Sequence, residues 1–309
     1  MQTKLSSFFS VNIEYNPKNK KCFVYEPGTQ AFFVNAPNNT DTFIIKKSGL
    51  SLYLRPSTVE KYDFPTIETT ASVPLLKSNL QKAVRRGSNI IAVNTALALC
   101  QKDPMELLRR LAIICIEDVC LMDSYPIIVW LMIADQPLTS QDIYFLLQIV
   151  NSLCNCTTVF KDTNGAPVTH THEILQNHAS KNQLLALYYR ALYGGMAGDI
   201  ALLNNAITYY MKNDHKIVKT AFGDLDYDYT EPLQILDAAI DYHPYPSLAT
   251  IISEQTQLDK NTIKTTIWHA ESAYNYRKPE TVASSKKIKA SAPWNLIKEP
   301  LRAARLNIA

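Results

Sequence analysis

The stretch Asp103–Asp123, DPMELLRRLAIICIEDVCLMD, decides how the chain is read. Asp103-Pro104 pairs a good N-cap with a proline in the first turn, where the missing N–H costs nothing. Behind it, Leu107, Leu108, Leu111, Ile114 and Cys115 recur at helical spacing. Arg110 and Glu117 are seven apart, two turns along one face of the same helix. Arg109, Arg110, Glu117 and Asp118 are therefore expected in salt bridges within or between helices, in a structural role.

The same periodicity extends in both directions. Helices are expected over 75–86, 89–101, 104–122, 124–134, 140–155, 172–194, 199–212 and 232–242, with two shorter ones over 245–276. Ser140 and Asp142 are good helix starts, and Asp259 caps a later one. Only 8 of 309 residues are Gly, which suits a helix-rich body. Apolar residues make up 47% and charged residues 19%, the balance of a folded protein.

Upstream the pattern changes. Residues 11–56 are rich in β-branched and aromatic residues, punctuated by Asn-Pro, Pro-Gly and Ser-Gly. They read as strands over 11–15, 22–26, 31–34, 42–46 and 50–55. The expected fold class is α+β, mainly α: a small N-terminal antiparallel β domain, then a helical body. The expected domains are a docking peptide at 1–10, the β-rich domain at 11–56, a linker at 57–75, the helical body at 76–276 and a basic, partly disordered tail at 277–309. That tail holds eight basic residues and two acids, a net +6 in a chain of +3, so the remainder carries −3. Phosphate contacts are thus expected from local patches, or from Lys286, Lys287 and Lys289 as a DNA-contacting arm or import signal.

No apolar run is long enough to span a bilayer, and no secretory signal is expected. Six scattered cysteines read as reduced thiols, because the Cys-x-Cys of Cys154 and Cys156 is poor spacing for zinc or a redox pair. No metal or cofactor is expected.

The chain opens Met1-Gln2-Thr3-Lys4-Leu5-Ser6-Ser7-Phe8-Phe9-Ser10. A tight helical turn brings Leu5 and Phe8 onto one side with Phe9 beside them, and Gln2 supplies an amide. An aliphatic and two rings are the kind of anchor that dominates binding energy. The segment resembles the clamp-interacting box of DNA ligases, flap nucleases and polymerase subunits. The resemblance implies docking of Gln2, Leu5, Phe8 and Phe9 on a sliding clamp of the PCNA type.

Residues 81–123 resemble the C-terminal helical region of the bacterial MgsA/RarA and Werner-helicase-interacting ATPases, relatives of the clamp loaders. From Asp103 to Asp123 the spacing of key residues matches without a gap. The resemblance implies a collar-like helical body that holds an oligomer together. The chain has no Gly-x-x-x-x-Gly-Lys-(Ser/Thr) loop, so ATP chemistry of that family's kind is not expected.

Two acidic and histidine clusters remain. Asp224, Asp226 and Asp228 with Glu231 alternate, as carboxylates holding magnesium for phosphodiester cleavage do, or as a solvated loop does; the spacing does not fit an EF-hand. His170, His172, Glu173 and His178 lack the complementary pair a zinc site needs. Asp241 and His243 are spaced as an acid–base pair or a hydrogen-bonded packing corner. The expected function is a non-ATPase accessory protein of DNA replication or repair, nuclear or in a viral replication compartment. Its partners would be the clamp, DNA, further copies of itself or other replication proteins. The alternatives are a clamp-tethered metal-dependent nuclease and a structural or viral assembly subunit.

Overall fold

The computed structural model describes residues 13–14, 41–45, 50–54, 62–134, 137–161, 170, 174–175, 177–223, 225 and 232–308. The expected docking peptide, residues 1–10, lies outside these residues.

The expected α+β class is overturned. From residue 62 onward the described chain is 67% helical, in eleven α-helices, and contains no β-strand. Among the described residues the N-terminal part contributes β1 (Ile13–Glu14), β2 (Asp41–Ile45) and β3 (Leu50–Leu54), antiparallel in the order β1-β2-β3. Strands of two and five residues do not make the expected small β domain. Enrichment in β-branched and aromatic residues measures fit to a pleated, half-buried surface. It does not supply the second layer such a surface needs.

The helices are α1 (Val73–Arg86), α2 (Asn89–Lys102), α3 (Pro104–Asp118), α4 (Tyr125–Ala134), α5 (Ser140–Asn155), α6 (Lys181–Leu192), α7 (Ala197–Tyr210), α8 (Leu248–Thr256), α9 (Lys260–Ile267), α10 (Pro279–Lys289) and α11 (Ala292–Leu306). They fall into two compact units, each discontinuous in sequence, where a single helical domain over 76–276 was expected. The first comprises Met1–Phe64, Leu107–Ser152 and Phe160–Leu225; the second Pro65–Glu106, Leu153–Val159 and Asp226–Ala309.

In the first unit, α4 packs against α6 and α6 against α7. Helix α4 is apolar all round, so it is buried all round: Ile127, Ile128, Val129, Trp130 and Met132 are all sealed. Phe160 packs edge-on to Tyr209 and stacks with Tyr210. The Tyr210 hydroxyl accepts from the Leu121 N–H at 3.0 Å. The Asp123 carboxylate accepts from the Thr220 N–H (2.9 Å) and hydroxyl (2.7 Å).

In the second unit, α1 begins at the Ser72 cap, whose hydroxyl accepts from the Leu75 N–H. It ends at Gly87, in the left-handed region with φ 66°. The Gly87 and Ser88 N–H groups turn back to the Val84 and Ala83 carbonyls, closing the helix end. A Cβ on Gly87 would sit 3.0 Å from the Tyr276 ring and 3.3 Å from the Cys154 carbonyl, so space as well as φ requires glycine. Leu76, Leu80, Ala83 and Val84 form the buried stripe of α1.

Residues 277–309, expected as a partly disordered tail, are instead helices α10 and α11. Ser291 caps α11 through the Trp294 N–H. The helix then buries Trp294, Ile297, Leu301 and Ala304 against Leu248, Ile252, Ile263 and Ile267 from α8 and α9. This stripe removes enough apolar surface to hold the segment, at roughly 1.5–3 kcal/mol for each large side chain. The expected helix over 232–242 is also absent; only a short turn, Asp237–Ala239, forms there. The cause is tertiary. The Asn79 carboxamide donates to the Gln234 carbonyl and accepts from the Leu236 N–H, both at 2.9 Å, and so satisfies an extended backbone.

Candidate functional site

The residues singled out by motif are distributed unevenly. Gln2, Leu5, Phe8 and Phe9, and Asp224, Asp226 and Asp228, lie outside the described residues, as do His172, Glu173 and Glu231. Arg109, Arg110, Glu117 and Asp118 all lie on α3 in the first unit, the first three half-buried and Asp118 buried. The Arg109 carbonyl accepts from the buried Arg190 guanidinium at 3.3 Å. His170 and His178 are bonded to the Thr208 hydroxyl and the Met211 carbonyl, not to each other. Burial holds His170 below the ordinary imidazole range, against a hydrogen bond from its ring to the Asn204 backbone that works the other way. Among the described residues no three His, Cys, Asp or Glu side chains gather in a way that could hold a metal. Lys286, Lys287 and Lys289 are exposed in the last turn of α10, where cations complement the helix dipole.

The structure does bring Asp241 and His243 together, in the second unit. Asp241 is fully buried, and His243 is exposed with 53% of its side chain accessible. One carboxylate oxygen of Asp241 faces His243 Nδ1 at 3.2 Å and accepts from the His243 N–H at 2.8 Å. The other accepts from the Ser272 hydroxyl at 2.7 Å and faces the buried Lys82 ammonium at 3.2 Å. Burial by itself raises a carboxyl's pKa. Here the hydrogen bonds from His243 and Ser272 and the charge of Lys82 outweigh it and hold Asp241 well below the usual carboxylate range. The result is a fixed buried anion with an exposed imidazole clipped to it through one ring nitrogen, the arrangement that sets a histidine's tautomer and orientation.

Rings and cations surround this imidazole. It lies 4.2 Å from the Tyr242 ring and meets Trp268 edge-on at 5.8 Å. The Lys264 ammonium sits over Tyr242 at 5.8 Å, and the Arg85 guanidinium lies 5.9 Å from the Trp268 ring. Trp268 opens a π-helical turn, Trp268–Ser272, continuous with α9; such turns are frequent at functional sites. That turn aims the Ser272 carbonyl at Arg85 (2.6 Å) and the Ser272 hydroxyl at Asp241.

A second polar assembly in the same unit is built on Arg277. Its guanidinium donates to the carbonyls of Val84 (2.8 Å), Leu153 (2.6 Å), Cys154 (3.0 Å) and Cys156 (2.5 Å), and stacks on Tyr276 at 4.2 Å. The Tyr276 hydroxyl adds bonds to Cys154 and Cys156 at 3.1 Å. Val84 and Leu153 are in last helical turns, where carbonyls lack intrahelical donors. Burial pushes the adjacent Cys154 thiol up to about 12, against the pull of Arg277, so this cysteine is a packing residue.

Sequence reasoning found Asp241 and His243 from their spacing alone. It missed Lys82, Arg85, Ser272 and Arg277, because nothing in local spacing shows that residues from α1 and from the chain's last third meet. No family model, no curated protein and no solved structure matches the chain.

Proposed function

We propose that the protein is a non-ATPase accessory factor of DNA replication or repair, tethered to a PCNA-type sliding clamp through residues 2–9. The observation that carries this reading is the run Gln2-x-x-Leu5-x-x-Phe8-Phe9, which fits the clamp-docking pattern at every position. Leu5, Phe8 and Phe9 would fill an apolar pocket of the clamp, and Gln2 a polar subsite. The helical units would then be held near DNA at high effective concentration, so a weak second contact becomes effective. The reading makes the chain a binding module. It places its partner surface in the helical units and its compartment in the nucleus or a viral replication site.

The test measures clamp affinity by calorimetry for the full chain and for Phe8→Ala with Phe9→Ala. Loss of two anchor rings is expected to weaken binding by more than about thirtyfold, with thermal melting unchanged. A peptide of residues 1–12 that fails to bind the clamp, or a double variant that melts early and binds normally, would refute the tether.

A further inference from the structure

The rings around His243 are the middle of a longer basic face. Lys260, Lys264 and Trp268 are spaced four apart along α9 and its π turn, so they share one side of the helix. Both lysines are exposed, and Trp268 is half-buried. His269, about a quarter turn round from Trp268, has its Nδ1 3.4 Å from the Ser284 hydroxyl of α10. Lys287, exposed, follows Ser284 by three residues. No Asp or Glu occurs from Lys260 to Ala270. Three of the nearby acids are already committed, while Glu280 is exposed one turn before Ser284 on α10. Asp241 is buried under Lys82, Glu271 pairs with Arg305 at 2.5 Å, and Asp259 caps α9 through the Asn261 and Thr262 N–H groups.

A row of lysines with aromatic faces set into it, and with no carboxylate between Lys260 and Ala270, matches the chemistry of a single nucleic-acid strand. Cations follow the phosphates while bases stack on rings, whatever their sequence. The imidazole suits this role because Asp241 fixes it against Tyr242, so little ring freedom is lost on stacking. Duplex would present its phosphates but keep its base faces covered, leaving the rings unused.

We propose that this face binds single-stranded DNA, with His243, Tyr242 and Trp268 as stacking rings and Lys260, Lys264 and Lys287 as phosphate contacts. The choice of DNA over RNA rests on the clamp-tether reading; the strand-binding chemistry does not.

The test uses the full chain without clamp, so that failure here is separable from failure of the tether. Fluorescence anisotropy with labelled oligo(dT) of about 20 nucleotides is expected to show saturable binding at about 50 mM salt. His243→Ala is expected to weaken it by about tenfold, the loss of one stacked base. Lys264→Ala with Lys287→Ala, both at exposed positions, is expected to lower the magnitude of the salt slope by about 1.4, that is about 0.7 for each lost phosphate contact. Far-UV circular dichroism and melting of each variant confirm that it is folded. The proposal is overturned if oligo(dT) does not bind, if the folded variants bind as the parent does, or if oligo(rU) binds about tenfold more tightly.

Discussion

Replacing Arg277 with Met keeps most of the buried stem and removes the guanidinium. Five contacts go with it: hydrogen bonds to Val84, Leu153, Cys154 and Cys156, and the stacking on Tyr276. A hydrogen bond to a charged donor contributes about 1.5–3 kcal/mol, so simple addition would exceed the stability of many whole domains. The structure argues for less. Val84 still accepts from the Gly87 N–H, and Cys154 and Cys156 keep the Tyr276 hydroxyl. Removal of the buried cation also relieves its desolvation cost. The net expectation is a loss of about 3–5 kcal/mol. Urea denaturation followed by far-UV circular dichroism measures it as a lower midpoint at unchanged slope. Arg277→Lys should recover little, because one ammonium cannot reach carbonyls on several sides at once. A loss below about 1 kcal/mol for Arg277→Met would refute the view that this side chain ties the segments together.

Asp241 makes the second unit acid-sensitive. Its folded pKa is depressed, so its contribution is fully present above the unfolded carboxyl value of about 3.9 and is lost as pH falls below it. Asp241→Asn should flatten stability against pH in that acid range. At pH 7 it should cost about 3–5 kcal/mol, because the buried Lys82 ammonium loses the charge that faces it; equal acid sensitivity in parent and variant would contradict this. Ile297→Ala, in the fully sealed stripe of α11, should cost about 2–5 kcal/mol by chemical denaturation. A neutral result would mean that α11 adds nothing to the core.

Helix after helix is readable from local spacing, and the misreadings share one cause. The segments 89–101 and 140–155 announce themselves because their apolar residues repeat at the helical period, and Thr139 and Asp142 also cap the start of the second. Residues 232–242 show a similar period, yet Asn79 holds Gln234 and Leu236 extended, a choice made by a side chain from another part of the sequence. The last 33 residues carry a helical stripe at 294, 297, 301 and 304. Their lysines, and prolines at 293 and 300, read as tail composition, although both prolines lie inside α11. The early strands rest on composition, which does not specify the second layer a sheet packs on. Asp241–His243 was legible as a two-residue spacing. Its buried depth, set by Lys82 and Ser272, was not, because those contacts join α1, the π turn and the Asp241 corner only after the unit has folded.

The inward turn of the arginines changes what the charge count means. Of the eight basic residues in 277–309, Arg277 and Arg305 are buried, with Arg277 bonded to carbonyls and Arg305 to Ile240 and Glu271. Arg85 in α1 is spent in the same way on the Ser272 carbonyl. These guanidiniums hold backbone together and cannot release counterions from a phosphate chain. What faces water is mostly lysine: Lys260, Lys264, Lys286, Lys287, Lys289 and Lys298 are exposed and Lys278 is half-buried, with Arg302 the exposed arginine of 277–309. A compact ammonium meets phosphate as a point charge, without the planar fork that reads base edges or grips carboxylates. On the proposed strand-binding reading, contact is therefore expected to be sensitive to salt and indifferent to sequence, because Arg85, Arg277 and Arg305 are committed to the fold.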